Sequence, residues 1–268
     1  SELSDEENRK EARGMATYSA MMESQDHHIG MLLSYLRETG QLDNTLIIYT
    51  PDNGPEGSDF RGKLSSPAFT KWVRATFSLK FEDIGKGNSM AFLGTDWASA
   101  ANGSLQWWKW FINEGGIRVP MIIVPPKNQS NKQAGKMVNE YAYVKELPAT
   151  ILDYAGVEYP KGAFKGRDLV KPSGVSLRSF LEGSKSTPRT EDESVVFELF
   201  GNAYVMSGDY KAIRVRPGMW GDGEWHLYNI KKDPGETTPL EAEQPEQLKK
   251  MLKIYKDYAE EEGLVPVA

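Results

Sequence analysis

Thr45-Leu46-Ile47-Ile48-Tyr49-Thr50-Pro51-Asp52-Asn53-Gly54 reads as a short buried β-strand that stops at two oxygen-bearing side chains and a glycine. The apolar run Leu46–Tyr49 suits a strand covered on both faces, as in a parallel sheet. Polar groups just beyond the carboxyl end of such a strand lie where open α/β sheets bind ligands. Asp52 offers a carboxylate and Asn53 an amide carbonyl, and Gly54 lets the backbone turn sharply or take φ > 0. These oxygens suit a hard divalent cation, Ca²⁺ or Mg²⁺. The same residues also make a common Asp-Asn-Gly turn, so taken alone they leave both readings open.

The 34 residues from Asp5 to Glu38 ahead of this strand carry Tyr18, Met22, Ile29, Leu32, Leu33 and Leu36 at helical spacing, with Gly40 as the stop. Helix, short loop and strand make an opening αβ unit. Residues 55–104 read as a long irregular excursion with a helix near Pro67–Ala75. A second strand is expected at Val119–Val124 and a helix at Tyr143–Tyr154, with Pro148 inside it and Gly156 at its end. The composition changes near Pro172-Ser173-Gly174. A short helix at 175–181 is followed by β-type runs at Val195–Phe200, Ala203–Met206, Tyr210–Val215 and Trp225–Ile230. A charged helix from Pro245 to Glu262 closes the chain. Strands joined by tight turns under one helix predict a small antiparallel α+β subdomain.

The 268 residues carry a formal net charge of -6 with no compensating basic block, which argues against nucleic acid as a partner. No apolar run is long enough to span a bilayer, so a membrane is not expected as a partner either. With no cysteine, there is neither a disulfide nor a thiolate metal site.

A second constellation runs Trp107-Trp108-Lys109-Trp110-Phe111-Ile112-Asn113-Glu114-Gly115-Gly116-Ile117-Arg118-Val119-Pro120. A lysine among bulky aromatics is partly desolvated, which strengthens its attraction for an anion. The bland counterpart is a lysine snorkelling over an aromatic surface. Glu114-Gly115-Gly116 reads as a flexible turn leading into a strand.

Taken together, these blocks resemble the sulfatase family. Asp26, Ile29-Gly30, Leu33, Leu36, Gly40, Asp43-Asn44-Thr45 and Asp52-Asn53-Gly54 are similar to one of its segments. Lys109 with Glu114–Pro120 resembles the next. Leu147–Gly156, Asp209-Tyr210-Lys211, Leu227-Tyr228-Asn229 and Asp233-Pro234-Gly235-Glu236 follow in the family's order. Gly87–Ala98 is similar to its bacterial arylsulfatase branch.

The resemblance implies an α/β fold: the C-terminal part of an alkaline-phosphatase-like mixed-sheet domain at 1–172, then the small antiparallel α+β subdomain at 173–268. It also implies arylsulfatase-type hydrolysis of a small-molecule sulfate monoester. Asp52 and Asn53 would be cation ligands, Ca²⁺ or Mg²⁺, and Lys109 the catalytic residue holding the sulfate or leaving-group oxygen. Asn53, where zinc-using relatives place His, favours an oxygen-seeking ion. Pro51 departs from the small residue usual before this Asp.

The family's nucleophile is the hydrate of a formylglycine, made in a Cys/Ser-x-Pro-x-Arg motif that this sequence lacks. The resemblance therefore places it in an N-terminal part of the same domain, which becomes an expected partner, and makes the isolated chain inactive. The family's further Asp pair and catalytic His are also absent. His27 and His28 read as surface or packing histidines, and His226 as structural. The resemblance also implies a periplasmic or secreted location. The sequons at Asn102 and Asn128 are weak signals of glycosylation. The alternatives are a phosphonate or phosphodiester hydrolase of the same superfamily, and a non-catalytic binding module on a sulfatase scaffold.

Overall fold

The structure is a computed structural model describing residues 4–58, 66–160, 162–170, 173–190, 193–218 and 220–264. Residues 59–65 of the expected excursion, and Pro172 at the expected domain boundary, lie outside the described residues. In chain order the elements are α1 (Asp5–Glu38), β1 (Ile47–Tyr49), α2 (Pro67–Thr76), α3 (Gly94–Ala101), α4 (Glu114–Ile117), β2 (Ile122–Val124) and α5 (Glu146–Ala155). They continue as β3 (Ala163–Phe164), β4 (Arg167–Asp168), α6 (Arg178–Leu181), β5 (Val195–Leu199), β6 (Asn202–Ser207), β7 (Tyr210–Arg214), β8 (Trp225–Asn229) and α7 (Pro245–Glu261). They fall into two compact units: residues 1–30, 51–120 and 194–268, and residues 31–50 with 121–193.

Local chemistry accounts for the element ends. Asp5, Glu6 and Glu7 open α1 and Arg37 closes it, each opposing the helix dipole at its end. Ser66 caps α2 by accepting from Phe69 N at 3.2 Å, with Pro67 in the first turn. Pro148 is tolerated because it falls in the first turn of α5, where its absent N–H has no partner to lose. Gly156 ends that helix in the left-handed conformation, φ 64°.

In the first unit, β5-β6-β7-β8 form a continuous antiparallel sheet, as the turn spacing predicts. Phe200 and Gly201 both have positive φ, 55° and 84°, which matches a tight I′ hairpin between β5 and β6. Val205, Ala212 and Leu227 are buried with Met251 of α7, flanked by Leu248 and Ile254. A second core joins Leu93, Ala98 and Trp108 to Met15 and Tyr18 of α1.

In the second unit, Leu177, Phe180 and Leu181 pack with Ile123, Ala142 and Tyr154. The wholly buried Glu146 pairs with Arg189 at 2.6 Å and accepts from Tyr143 N.

Two expectations are corrected. The strand at the head of the diagnostic run pairs antiparallel with β2, Ile47 opposite Val124 and Tyr49 opposite Ile122. Neither strand is buried on both faces: the described residues give this sheet no third strand, and Ile122 and Val124 stay exposed while Ile123 packs against Leu177, Phe180 and Leu181. Glu114-Gly115-Gly116 is not a flexible turn but a buried helical turn. Its glycines are demanded by close backbone contact: a Cβ on Gly115 would fall 2.1 Å from Trp107 O, and one on Gly116 2.1 Å from Phe111 O.

Candidate active site

Asp52, Asn53 and Lys109 all lie in the first unit, on two loops laced together along their backbones. Gly54 N donates to Gly116 O at 2.9 Å, and Lys109 N donates to Pro55 O at 3.0 Å. A Cβ on Gly54 would fall 1.9 Å from Gly115 O. Glycine is required here for close approach and not for a positive φ, which Gly54 does not adopt. Gly57 is constrained in the same way, since a Cβ there would fall 2.3 Å from the Trp108 indole nitrogen.

On this seam the Asp52 carboxylate is exposed and unpaired among the described residues. Asn53 is half-buried, and its Nδ2 donates to Gly54 O at 2.8 Å, which leaves the amide oxygen to accept. A carboxylate and an amide carbonyl are hard donors that fit part of a Ca²⁺ or Mg²⁺ shell. Among the described residues no group of three or more His, Cys, Asp or Glu could hold a metal ion. These two oxygens therefore fit a shared site, short of the ~6–8 ligands Ca²⁺ takes.

Lys109 is paired with a residue that sequence reasoning passed over. Its Nζ lies 3.1 Å from Glu56 Oε2, and both side chains are about one-third exposed. It also sits 5.6 Å from the Trp110 ring centroid. Burial by itself would raise the Glu56 carboxyl, but hydrogen bonds from Ser58 and Lys109 prevail and hold it below the usual range. Glu56 Oε1 also accepts from Trp110 Nε1 at 3.2 Å, so one carboxylate orients the ammonium and the indole together. No sequence signal marks Glu56 except its closeness to Asp52.

Beneath the seam lies a buried ionic cluster. Lys211 on β7 is fully buried, its Nζ 3.0 Å from Glu114 Oε1 and 2.8 Å from Glu236 Oε1. Glu236 Oε2 accepts from Glu114 N at 2.9 Å, and Arg118 reaches Glu114 Oε2 at 3.7 Å. Three blocks far apart in sequence thus meet at one point and anchor the start of α4.

Asn102 adds another tie, its Nδ2 donating to Trp107 O at 2.5 Å and Gly115 O at 2.9 Å. That amide nitrogen is engaged inside the fold, which removes the Asn102 sequon as a glycan site. His27 and His28 are exposed on α1, edge to face at 5.4 Å. His226 lies between Asp222 and Glu241, 2.9 Å from each.

Comparison with known proteins places these features in context. A family model described as Sulfatase matches residues 2–157. An uncharacterized sulfatase of Schizosaccharomyces pombe is 36% identical over 267 residues, 98% of this chain and 46% of that protein. An arylsulfatase of Klebsiella aerogenes is 26% identical over 190 residues, 70% of this chain and 39% of that protein. The chain therefore spans less than half the length of these relatives. A crystal structure of Ps i-CgsB in complex with k-i-k-neocarrahexaose superposes with a TM-score of 0.59 at 21% identity, over 90% of this chain and 42% of that one. That likeness bears on the fold, which is the alkaline-phosphatase-like α/β class. No helix of the described residues is long and apolar enough to cross a membrane.

Proposed function

The chain belongs to the sulfatase family, and from that premise we propose that it supplies the cation-binding strand end and the anion-binding lysine of an arylsulfatase-type sulfuric ester hydrolase. The observation that carries the proposal is the seam on which Asp52-Asn53-Gly54 and Trp107–Gly116 are held together. Asp52 and Asn53 hold a Ca²⁺ or Mg²⁺ ion, completed by ligands outside this chain. When bound, that ion supplies electrostatic stabilisation of the sulfate oxygens. The nucleophile, a formylglycine in this reading, also lies outside the chain.

Lys109 binds a sulfate oxygen or the departing ester oxygen and offsets the negative charge that grows in the transition state. Glu56 holds the ammonium in place until the ester arrives. The indole of Trp110, 5.6 Å from the ammonium, takes part of its water away and strengthens its attraction for an anion. The substrate is a small sulfate ester. Residues 1–172 serve as part of the catalytic domain and 173–268 as its subdomain, and the location is periplasmic or secreted.

The test is steady-state hydrolysis of an aryl sulfate by the full-length protein. Lys109→Ala is expected to lower kcat by about 10²–10³, the cost of removing one donor to a developing oxyanion. An unchanged kcat in Lys109→Ala overturns the assignment. Turnover of a phosphonate ester far above that of the aryl sulfate favours the phosphonate-hydrolase alternative.

A further inference from the structure

Beside the Lys109–Glu56 pair lies a cleft of about 320 Å³ whose walls include Trp110, Phe111, Arg216, Pro217 and Trp220. Its size falls in the range of small-molecule sites. Trp110 is 63% exposed, yet it is held at φ 83°, a conformation that a bulky L-residue rarely adopts. Trp107 next to it is held at φ 63°. Backbone strain of this kind collects where a side chain must be presented for function.

Glu56 fixes the indole of Trp110 by a hydrogen bond. Trp220 is packed against Trp107 and Phe111, its ring 5.4 Å and 5.1 Å from theirs. Both aromatic walls are thus set in place before any ligand arrives. Arg216 is exposed, and its guanidinium has no ion-pair partner among the described residues. Its backbone is fixed by Arg216 N donating to Asn202 Oδ1 at 2.9 Å. A cleft walled by aromatic side chains and carrying one unpaired guanidinium, with Asn202 the other polar side chain in its lining, is complementary to a flat ring that carries an anionic substituent.

We propose that this cleft is the leaving-group subsite and binds a ring bearing a second anionic group, with the ring against Trp110 and Trp220 and the anion at Arg216. The inference deepens the proposed function and rests on Lys109 holding the scissile sulfate. Two ring chemistries share these features, a carboxylated aryl group and a second sulfate or carboxylate on a pyranoside.

The experiment uses the full-length protein and two matched pairs of esters. One is 4-nitrophenyl sulfate with and without a ring carboxylate, and the other a methyl pyranoside monosulfate and its disulfate. The dianionic member of one pair is expected to have a kcat/KM about 10- to 100-fold above its partner, the worth of one charge-assisted contact. Arg216→Ala is expected to abolish that preference and Arg216→Lys to keep part of it. The pair that shows the preference identifies the ring. No preference in either pair, or one that survives Arg216→Ala, overturns the subsite while leaving sulfate hydrolysis standing.

If none of the four esters is turned over, it is the hydrolase reading that fails. Tryptophan fluorescence on titration with the dianionic esters then decides the subsite. Quenching that needs Arg216 upholds it, and quenching that is absent or independent of Arg216 overturns it.

Discussion

Gly54 and Gly30 look alike in the sequence, but the structure gives them opposite roles. Gly54 lies so close to Gly115 that a methyl group has no room, whereas a Cβ on Gly30 meets nothing within 4 Å. Gly54→Ala is expected to destabilise the protein by about 1–3 kcal/mol, as overpacking does. Gly30→Ala, in the interior of α1, is expected to stabilise it by up to about 1 kcal/mol. Denaturant unfolding of the two variants checks both signs. The residue types at the candidate site were readable in advance: a carboxylate, an amide and a lysine among aromatics. Their partners were not. Glu56, Asn102 and Lys211 act through contacts with residues 53, 13 and 97 positions away, and no local pattern encodes those.

Among the elements, the four-stranded sheet was the most legible, because short β-type runs, nearly continuously buried in its two central strands and separated by tight turns, leave a direct mark on sequence. The orientation of β1 against β2 was not legible, since a three-residue apolar run fits a parallel or an antiparallel neighbour equally well. The helical turn of α4 was hidden by its two glycines, which look like a loop until their surroundings are known.

Two side-chain clusters set the behaviour of the sheet. Lys211→Met leaves Glu114 and Glu236 as buried charges without their ammonium, and is expected to cost about 3–5 kcal/mol. Thermal unfolding measures this, and a loss near zero rejects the cluster as an anchor.

The second cluster clips β8 and responds to pH. Burial alone would lower the His226 imidazole, but hydrogen bonds to Glu241 and Asp222 override it and raise it above its ordinary 6.5. The folded state therefore holds this proton more tightly than the unfolded one. The resulting stability is full below 6.5 and fades as pH rises through the raised folded value. Asp222 is lowered by Glu224 N and by His226. Glu241, which burial would raise, is lowered by His226 and Leu227 N. Their contribution is full above the ordinary 3.8 and 4.5 and fades as pH falls below them. Unfolding midpoints of the wild type against His226→Gln are thus expected to differ most between about pH 5 and 6 and to converge as pH rises through the raised His226 value. A gap that widens over that rise contradicts this.

Each of the molecule's two units has a core of its own, and the family was legible because its blocks occur in order along both. The exposed apolar side chains are more informative than the cores. Ile122 and Val124 of β2 are 57% and 46% exposed, and Met21, Met31, Leu32 and Tyr35 of α1 are exposed as well. Apolar surface of this kind on a strand pair and a helix is typical of faces meant to be covered. It fits a chain that spans less than half of its relatives. The candidate site has the same character, bringing together two oxygen donors and a lysine, while no group of three or more His, Cys, Asp or Glu among the described residues could hold a metal ion.

The proposed site takes Asp52 and Asn53 as cation ligands. Equilibrium titration of metal-free full-length protein with Ca²⁺, comparing the wild type with Asp52→Ala and Asn53→Ala, tests it most directly. Each substitution is expected to weaken Ca²⁺ binding at least about tenfold, with a parallel shift in the Ca²⁺ needed for half-maximal aryl sulfate turnover. Binding as tight in both variants as in the wild type contradicts the claim, and returns Asp52-Asn53-Gly54 to an ordinary turn at the end of a strand.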